Sequence, residues 1–360
     1  MPNFTINDSD EKFMRRALEL ALQGCGRVSP NPLVGCVIAK GGRIIAGGFH
    51  GKFGGPHAEA DALGKAGAEA AGADAYVTLE PCVRFEGKKT PSCAEAVVKA
   101  GVKRVFVAVR DPNPNVAGKG IELLKQAGVE VVEGICEDDA GEANKFFFKF
   151  VRTKRPYVIL KMAVSLDGKI WSPETSSISN PQFAGMVQKL RNDCDAILVG
   201  SGTVITDNPR LTCRMPQGRD PLRAIVDCNL ESPVNSKVFN DANCAVFCLR
   251  NADGNKRKAL EKRGIRIIET EAGEDGDRLN LERVFATLGE MKITSVLVEG
   301  GRKIASSVVR EGLYDECVLA IAPKILGEGT PAFESGVEIG LGNASVQAVG
   351  DNAVFTIRKR

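Results

Sequence analysis

The feature that most constrains the fold is a regular alternation of short apolar strands and amphipathic helices along the 360 residues. Apolar runs of strand length, such as residues 75–79 and 196–199, alternate along the chain with stretches of helical spacing, such as residues 94–99 and 281–288. Strand–helix–strand alternation is typical of α/β layers with parallel crossovers. The pattern therefore predicts an α/β protein.

The alternation breaks once, at Thr153-Lys154-Arg155-Pro156. A residue that precedes proline is pushed out of the helical region, so the helix predicted over residues 138–152 ends there. At roughly 100–200 residues per domain, the chain length also favours two domains. We expect one domain over residues 1–153 and a second over residues 154–360.

Composition excludes several classes of protein. Lys plus Arg number 48 against 45 for Asp plus Glu, and this balance of +3 argues against a dedicated nucleic-acid or anionic-membrane binder. The apolar runs are too short for a membrane span, and the N-terminus shows no secretory signal. With an odd count of 11 cysteines, we expect a cytoplasmic, thiol-rich protein without a disulfide scaffold.

Because histidine is scarce, the sequence contains one cluster of possible metal ligands that includes a histidine. The chain has only 2 histidines, and His57 begins a predicted helix. Cys82 follows a predicted strand, and Cys93 precedes another helix. One imidazole and two thiolates are good zinc ligands, and a catalytic zinc site keeps a fourth position for water. Helix N-termini also favour the thiolate form.

A carboxylate lies close to this cluster in sequence. Glu59, two residues after His57, is near enough to take a proton from water at the metal and to pass protons to a leaving amine. The alternative to a zinc site is that the two cysteines are buried core residues and that His57-Ala58-Glu59 is an exposed helical turn. The order of strand, Pro81-Cys82, Cys93 and helix favours a zinc deaminase, although its second cysteine lies farther along than usual. The other histidine, His50, is either a substrate contact or a surface residue.

Two glycine turns mark the second half. Gly200-Ser201-Gly202-Thr203 and Gly300-Gly301 each follow a predicted strand and precede a helix. Such turns can present backbone N–H groups to a phosphate, and glycine allows close approach of a cofactor. Either turn alone is more often a plain tight turn, but the pair favours a nucleotide site. Cys244 and Cys248 flank a strand without partners and are predicted to be core residues.

Longer motifs occur in a fixed order over almost the whole chain. In the first half they are Ser29-Pro30-Asn31-Pro32, Pro56-His57-Ala58-Glu59, Thr78-Leu79-Glu80-Pro81-Cys82, Thr90-Pro91-Ser92-Cys93 and Asp111-Pro112-Asn113-Pro114-Asn115. In the second half they are Ser165-Leu166-Asp167-Gly168-Lys169, Gly200-Ser201-Gly202-Thr203, Asp207-Asn208-Pro209, Leu211-Thr212-Cys213-Arg214, Val298-Glu299-Gly300-Gly301 and Ala322-Pro323-Lys324-Ile325-Leu326-Gly327. With these motifs the chain resembles the bifunctional pyrimidine deaminase/reductase family of riboflavin biosynthesis.

The resemblance implies both the fold and the chemistry. The expected architecture is a cytidine-deaminase-like three-layer α/β/α domain followed by a dihydrofolate-reductase-like α/β domain. The first would use Zn2+ to remove an amino group from 2,5-diamino-6-ribosylamino-4(3H)-pyrimidinone 5′-phosphate. The second would use NADPH to reduce the ribosyl group to a ribityl chain. The family also implies a small-molecule substrate and a homo-oligomer formed through the reductase half.

The resemblance assigns roles residue by residue. In the first half it implies zinc ligands at His57, Cys82 and Cys93, a proton shuttle at Glu59, and substrate contacts at Asn31, His50 and Lys88, or Lys89 in place of Lys88. In the second half it implies substrate contacts at Lys161, Ser179, Arg214 and Glu299, a catalytic or ribose-binding role for Asp207, and cofactor contacts at Gly200, Ser201, Gly202, Thr203, Gly300 and Gly301. For Lys161 the less favoured alternative is an outward-facing strand lysine.

Two segments depart from the family pattern. Val83-Arg84 replaces the usual Ser-His after Pro81-Cys82, and the loop to Cys93 is about two residues longer. Residues 171–174 replace a run of small residues in a loop expected near the nicotinamide or the ribose. These changes leave one alternative open, in which one half is active and the other is a degenerate structural module. A deaminase of nucleic-acid bases is disfavoured by the 3 Tyr, 1 Trp and nearly balanced charge.

Overall fold

The computed structural model describes residues 6–86, 91–175, 177–273, 276, 278–340, 342 and 344–359. The chain divides between Thr153 and Lys154 into two compact units.

The first unit is a mixed five-stranded sheet with helices on both faces. Its helices are α1 (Asp8–Leu22), α2 (Ala58–Ala66), α3 (Cys93–Lys99), α4 (Lys119–Gln126), α5 (Glu137–Ala143) and α6 (Lys145–Thr153). Its strands are β1 (Gly35–Lys40), β2 (Arg43–Phe49), β3 (Asp74–Val77), β4 (Arg104–Val107) and β5 (Glu130–Glu133). The strand order is β2-β1-β3-β4-β5; β1 runs antiparallel to both neighbours, and β3, β4 and β5 are parallel.

The alternation of side chains along β1 builds the two sides of this core. Val37 and Ala39 pack in the cluster that contains residues of α1, whereas Cys36 and Ile38 pack in the cluster that contains residues of α2. Because successive side chains of a strand point to opposite faces, one apolar strand supports both helical layers. The unit is therefore the three-layer α/β/α arrangement that was predicted.

The second unit is built on a nine-stranded sheet. Its helices are α7 (Pro181–Asp193), α8 (Ser201–Asp207), α9 (Gly254–Lys262), α10 (Leu281–Glu290) and α11 (Arg302–Arg310). Its strands are β6 (Tyr157–Ser165), β7 (Lys169–Trp171), β8 (Ala196–Gly200), β9 (Leu222–Val226), β10 (Cys244–Cys248), β11 (Arg266–Glu269), β12 (Ser295–Val298), β13 (Glu316–Ala322), β14 (Thr330–Pro331), β15 (Ser345–Val349) and β16 (Asn352–Arg358).

The topology of the second unit brings its glycine turns side by side. The strand order is β11-β10-β9-β8-β12-β6-β13-β16-β15, with parallel pairing from β11 to β13 and antiparallel pairing beyond. Since β8 and β12 are parallel neighbours, the turns that follow them emerge at the same edge of the sheet. Strands β7 and β14 form a separate two-stranded sheet.

The prediction of one continuous helix at the end of the first unit is wrong. Residues 138–152 do not form one helix: α5 ends at Ala143 and α6 begins at Lys145. Asn144 lies between them with its side chain turned inward, where it accepts a hydrogen bond from Leu33 N at 2.8 Å and donates one to Leu33 O at 2.9 Å. This pair of long-range bonds takes Asn144 out of the helical pattern.

Several elements have little sequence signal. Helix α8 and strands β7 and β14 are short, and β15 is largely exposed, so none has a long apolar period. The longest described helix is α1, with 15 residues. None of the helices in the described ranges is long and apolar enough to cross a membrane.

Candidate active sites

The three predicted zinc ligands meet in the first unit. His57 is the residue immediately before α2, Cys82 lies in the loop after β3, and Cys93 is the first residue of α3. Their ligand atoms all lie within 4.8 Å of one another. The Nδ1 atom of His57 is 3.4 Å from Cys82 Sγ and 3.3 Å from Cys93 Sγ.

The N-terminus of α3 holds the two cysteines together. Ser92 caps this helix by accepting a hydrogen bond from Glu95 N at 3.1 Å, and its hydroxyl donates to Cys82 O at 3.2 Å. Ala94 N donates to the same Cys82 carbonyl, also at 3.2 Å. The helix cap therefore ties the Cys82 turn to Cys93. One nitrogen and two sulfur donors at this separation fit a zinc ion with one position left for another ligand.

Glu59 lies in the first turn of α2, two residues from His57. Its side chain is buried, with 3% of the residue exposed. Burial raises the pKa of Glu59 to about 7, and the neighbouring Cys82 adds to the shift. A carboxyl group in this environment can hold or release a proton near neutral pH.

The two predicted substrate contacts Asn31 and His50 also lie at this cluster. The His50 ring is buried, and its centroid is 5.5 Å from that of His57. His50 Nδ1 is 2.8 Å from Pro56 O, which can only accept, so we place the imidazole proton on Nδ1. His50 Nε2 then accepts from Asn31 Nδ2 at 3.1 Å. Burial lowers the pKa of His50, which favours this neutral form. Lys88, like Lys89, lies outside the described residues.

The second unit contains a cavity of about 1200 Å³. Residues of both predicted glycine turns line it, namely Gly200, Ser201, Gly202, Thr203 and Gly301. Asp207 also lines it.

The two glycine turns pack against each other at the cavity wall. A Cβ added to Gly200 would lie 3.0 Å from Ile304, and one added to Gly300 would lie 2.7 Å from the same side chain. A Cβ on Gly301 would approach Thr203 Oγ1 at 3.4 Å. Gly300 is buried and, unlike Gly301, does not line the cavity. The residues at the starts of α8 and α11 line the cavity, and N–H groups at the start of a helix are a chemically suitable site for phosphate.

A buried ion cluster includes two of the predicted substrate contacts. Lys161 Nζ lies 3.0 Å from Glu299 Oε2, and Arg191 donates to both carboxylate oxygens at 2.7 and 3.0 Å. The Glu299 side chain is only 7% exposed. Burial alone would raise the pKa of Glu299, but the two cations outweigh burial and lower it to about 2. Lys161 therefore faces a buried carboxylate, not solvent.

The remaining predicted residues of the second half are less closely grouped. Partial burial raises the pKa of Asp207 above its usual value. Arg214 is exposed, and its backbone N–H donates to Gln188 Oε1 at 2.8 Å. Ser179 does not line the cavity, but its neighbours Ser177 and Ile178 do.

Two family models match the chain in the order of the two units. The model of the cytidine and deoxycytidylate deaminase zinc-binding region matches residues 7–109. The model of the RibD C-terminal domain matches residues 156–355, which is more than half of the chain. The chain belongs to the RibD family.

Full-length relatives agree with this assignment. The riboflavin biosynthesis protein RibD of Aquifex aeolicus is 41% identical and is matched over 92% of each chain. RibD of Bacillus amyloliquefaciens is 44% identical over 91% of this chain and 88% of the relative. The solved structure of Acinetobacter baumannii RibD superposes with a TM-score of 0.85 at 37% identity, covering 97% of this chain and 98% of the other.

Membership of the RibD family confirms the predicted fold and enzyme class. The protein is a bifunctional deaminase/reductase of riboflavin biosynthesis that acts on a small molecule and uses zinc and NADPH. Both halves match their models, so nothing supports the alternative with one degenerate half.

Two charged residues with little exposed side-chain surface were not predicted from the sequence. Glu80 accepts backbone hydrogen bonds from Asp111, Gly118, Gly120 and Ile121. Glu80 belongs to a motif quoted above, but no role was predicted for it. Arg191, which binds both carboxylate oxygens of Glu299, lies in α7. Arginine side chains on helices are usually solvated, so the sequence around Arg191 carries no signal for a buried ion pair.

Proposed function

We propose that residues 1–153 form the zinc deaminase domain and residues 154–360 the NADPH reductase domain. The first would deaminate 2,5-diamino-6-ribosylamino-4(3H)-pyrimidinone 5′-phosphate. The second would reduce the ribosyl group to give 5-amino-6-ribitylamino-uracil 5′-phosphate. A solved Thermotoga maritima protein that carries the corresponding deaminase and reductase names is 36% identical, with a TM-score of 0.85 over 97% of this chain and 98% of the other. The observation that carries the proposal is the His57, Cys82 and Cys93 cluster beside buried Glu59.

In the deaminase, His57, Cys82 and Cys93 would hold the metal. When bound, zinc supplies a Lewis acid that activates water for hydrolysis. Glu59 takes the proton released by water and delivers it to the amino nitrogen that leaves as ammonia. His50 engages the amide nitrogen of Asn31, so the Asn31 amide oxygen is the atom that accepts a hydrogen bond from the pyrimidine. Lys88 is proposed as the basic substrate contact.

In the reductase, the residues of the ion cluster would orient the substrate. When bound, NADPH supplies the hydride, which reduces C1′ of the ring-opened ribosylamino group. Lys161 and Arg191 keep Glu299 ionised, so it accepts hydrogen bonds from substrate hydroxyl or N–H groups. Asp207 lines the cavity with a raised pKa, which suits it to supply the proton that the substrate nitrogen takes up. Arg214 would bind the substrate phosphate, with Ser179 as a further contact.

The cofactor would lie across the glycine turns of the reductase domain. Gly200, Ser201, Gly202 and Thr203 would present backbone N–H groups to the diphosphate, together with Gly301. Gly300 would act by allowing Ile304 to pack closely against the turn.

The decisive experiment supplies the diaminopyrimidine substrate with and without NADPH. We expect ammonia release that does not need NADPH, and NADPH oxidation that needs the deaminated product. Ammonia release that requires NADPH, or NADPH oxidation by the undeaminated substrate, would contradict the proposed order of the two reactions.

We also propose that the protein forms a homo-oligomer through the reductase domain. Strand β15 lies at the edge of the nine-stranded sheet, and four of its five residues are exposed, including Val346 at 59%. An exposed edge of this kind is a template for pairing with another chain. Light scattering should give a multiple of the 38.4 kDa chain mass, and Val346→Lys should reduce it. A monomeric wild-type mass would contradict the proposal.

A cytoplasmic location is proposed from the cysteine chemistry. All eleven cysteines are thiols, and six of them are buried. Thiols in this number are typical of a reducing compartment. Fractionation of the source cells should recover both activities with the cytoplasmic proteins, and recovery with secreted proteins would contradict the assignment.

A further inference from the structure

The single tryptophan of the chain lies on the wall of the reductase cavity. Trp171 ends β7, where it pairs with Thr330 of β14, and both residues line the cavity. Although it lines a cavity, Trp171 is 45% exposed. We call the segment formed by β7 and β14 the strap.

The strap is held in place by defined contacts. The Asp167 carboxylate, just before β7, accepts hydrogen bonds from Leu326 N at 3.0 Å and Gly327 N at 2.9 Å. A Cβ added to Gly329, the residue before β14, would lie 2.1 Å from Trp171 O, so only glycine fits here against the Trp171 backbone. The backbone of Trp171 is therefore fixed against β14.

The order of the strands places the strap at one end of the cavity. The cavity is lined by Cys228 and Asn229 after β9, by the glycine turns after β8 and β12, and by the strap, whose strand β7 follows β6. These strands are neighbours in the order β9-β8-β12-β6. A dinucleotide whose diphosphate lies at the glycine turns would therefore place one base near Asn229 and the other near the strap.

The ion cluster indicates which base lies at the strap. Lys161 is on β6, the strand that leads into the strap, and it pairs with Glu299 directly after the neighbouring β12. These are the residues proposed to contact the substrate. Because the hydride passes directly from the nicotinamide to the substrate, the nicotinamide belongs at this end of the cavity.

We propose that Trp171 stacks on the nicotinamide ring of bound NADPH. The inference rests on the cofactor site proposed above for the reductase domain. A half-exposed indole gains contact when a planar ring covers it, and pairs of stacked rings add measurable affinity. On this basis the Trp171→Ala variant should bind NADPH about 3- to 10-fold more weakly. Trp171→Phe, which keeps a ring, should retain most of the affinity.

A single tryptophan permits a direct optical test on the full-length protein. NADP+ and NADPH are titrated without pyrimidine while tryptophan emission is recorded, and binding is measured in parallel by calorimetry. NADP+ does not absorb at the emission wavelength, so energy transfer to the nicotinamide cannot account for quenching by this dinucleotide. We expect quenching by both dinucleotides, and none by adenosine 2′,5′-bisphosphate, which lacks the nicotinamide and should bind Trp171→Ala and wild type equally.

The outcomes separate this inference from the function on which it rests. If calorimetry shows no NADPH binding to a folded wild-type protein, the proposed cofactor site is wrong. If NADP+ binds but the emission is unchanged, or changes only when the pyrimidine substrate is added, the stacking proposal is wrong. Equal weakening of the bisphosphate and of NADPH by Trp171→Ala would also overturn it, since the indole would then support the adenosine end or the fold. Thermal unfolding of both variants controls for loss of structure.

Discussion

At the scale of single residues, the two proposed sites use buried carboxylates in opposite electrostatic settings. Burial raises the pKa of Glu59, and the proposed ligands Cys82, His57 and Cys93 also act on its charge. The Glu299 side chain is only 7% exposed, but Lys161 and Arg191 outweigh the desolvation and lower its pKa. The first setting suits a group that exchanges protons, and the second suits one that stays charged and positions other groups.

Replacing Glu59 by Gln tests whether this carboxyl group carries protons during deamination. The amide cannot carry the proton from water to the leaving nitrogen, so we expect ammonia release to fall at least about a thousandfold. Oxidation of NADPH with supplied deaminated intermediate should stay at the wild-type rate, and the zinc content should not change.

Asp207→Asn is the matched control, because it should lower NADPH oxidation and leave ammonia release intact. Full ammonia release by Glu59→Gln would disprove the assigned role, and equal loss of both activities in either variant would argue against two independent sites.

The lowered pKa of Glu299 makes the free energy of unfolding depend on pH. The folded-state pKa of Glu299 is about 2, below the ordinary 4.5. Its contribution is therefore fully present above about pH 4.5 and is lost as the pH falls towards 2. A shift of this size corresponds to about 3 kcal/mol. Glu299→Gln should destabilise the second unit by at least that amount at neutral pH, because Lys161 and Arg191 remain buried without a counter-charge.

Chemical denaturation at a series of pH values measures this effect. Between pH 4.5 and 2, the variant should lose less unfolding free energy than the wild type does. Glu290→Gln, which changes an exposed glutamate on α10, should behave as wild type. Parallel pH profiles for Glu299→Gln and wild type would show that the ion cluster does not contribute in this way.

At the scale of secondary-structure elements, the start of α4 is fitted against the turn that carries Cys82. Glu80 accepts N–H groups from the first turn of this helix and from the loop before it. A Cβ added to Gly120, the second residue of α4, would lie 2.0 Å from Pro81 O. The motif that begins at Asp111 is therefore followed by a helix whose first turn packs against the turn that carries Cys82.

Gly120→Ala should force this helix and the Pro81-Cys82 turn apart. We expect the first unit to lose about 1–3 kcal/mol of unfolding free energy and zinc to bind more weakly. Gly141→Ala on α5 is the matched control, since nothing lies within 4 Å of the added methyl group and alanine favours a helix by about 1 kcal/mol over glycine. Zinc titration and thermal unfolding measure both effects; unchanged zinc affinity in a folded Gly120→Ala protein would refute the supporting role.

At the scale of the whole molecule, each of the two units carries its own proposed cofactor site. Zinc would be held by side chains of the first unit alone, and the glycine-lined cavity is formed by residues of the second unit alone. The proposed chemistry of each unit is therefore separable from that of the other.

Removal of zinc tests this separation. Treatment with a chelator should abolish ammonia release and lower the stability of the first unit, because bound metal contributes folding free energy. NADPH oxidation with the deaminated intermediate should continue, and added zinc should restore ammonia release. Loss of the reductase activity in step with zinc would contradict the assignment of independent sites.

The sequence by itself determined the α/β class, most elements and the family, because strand and helix periods and turn signals are local. It also predicted His57, Cys82 and Cys93 as a possible set of metal ligands, because the starts of helices and the ends of strands can be located from local residue types. Local patterns predicted the wrong secondary structure where a contact between residues distant in sequence determines the backbone conformation. Asn144 interrupts a helical pattern because its side chain bonds to Leu33, far away in sequence.

Only the tertiary structure decided which charges meet and which turns become neighbours. Arg191 and Lys161 reach Glu299 from different elements, and the environment that lowers the pKa of Glu299 exists only once all three are buried together. The glycine turns become adjacent because β8 and β12 pair in the sheet, although nearly a hundred residues separate them. Pairing and burial depend on the whole fold, whereas propensity and spacing can be read along the chain.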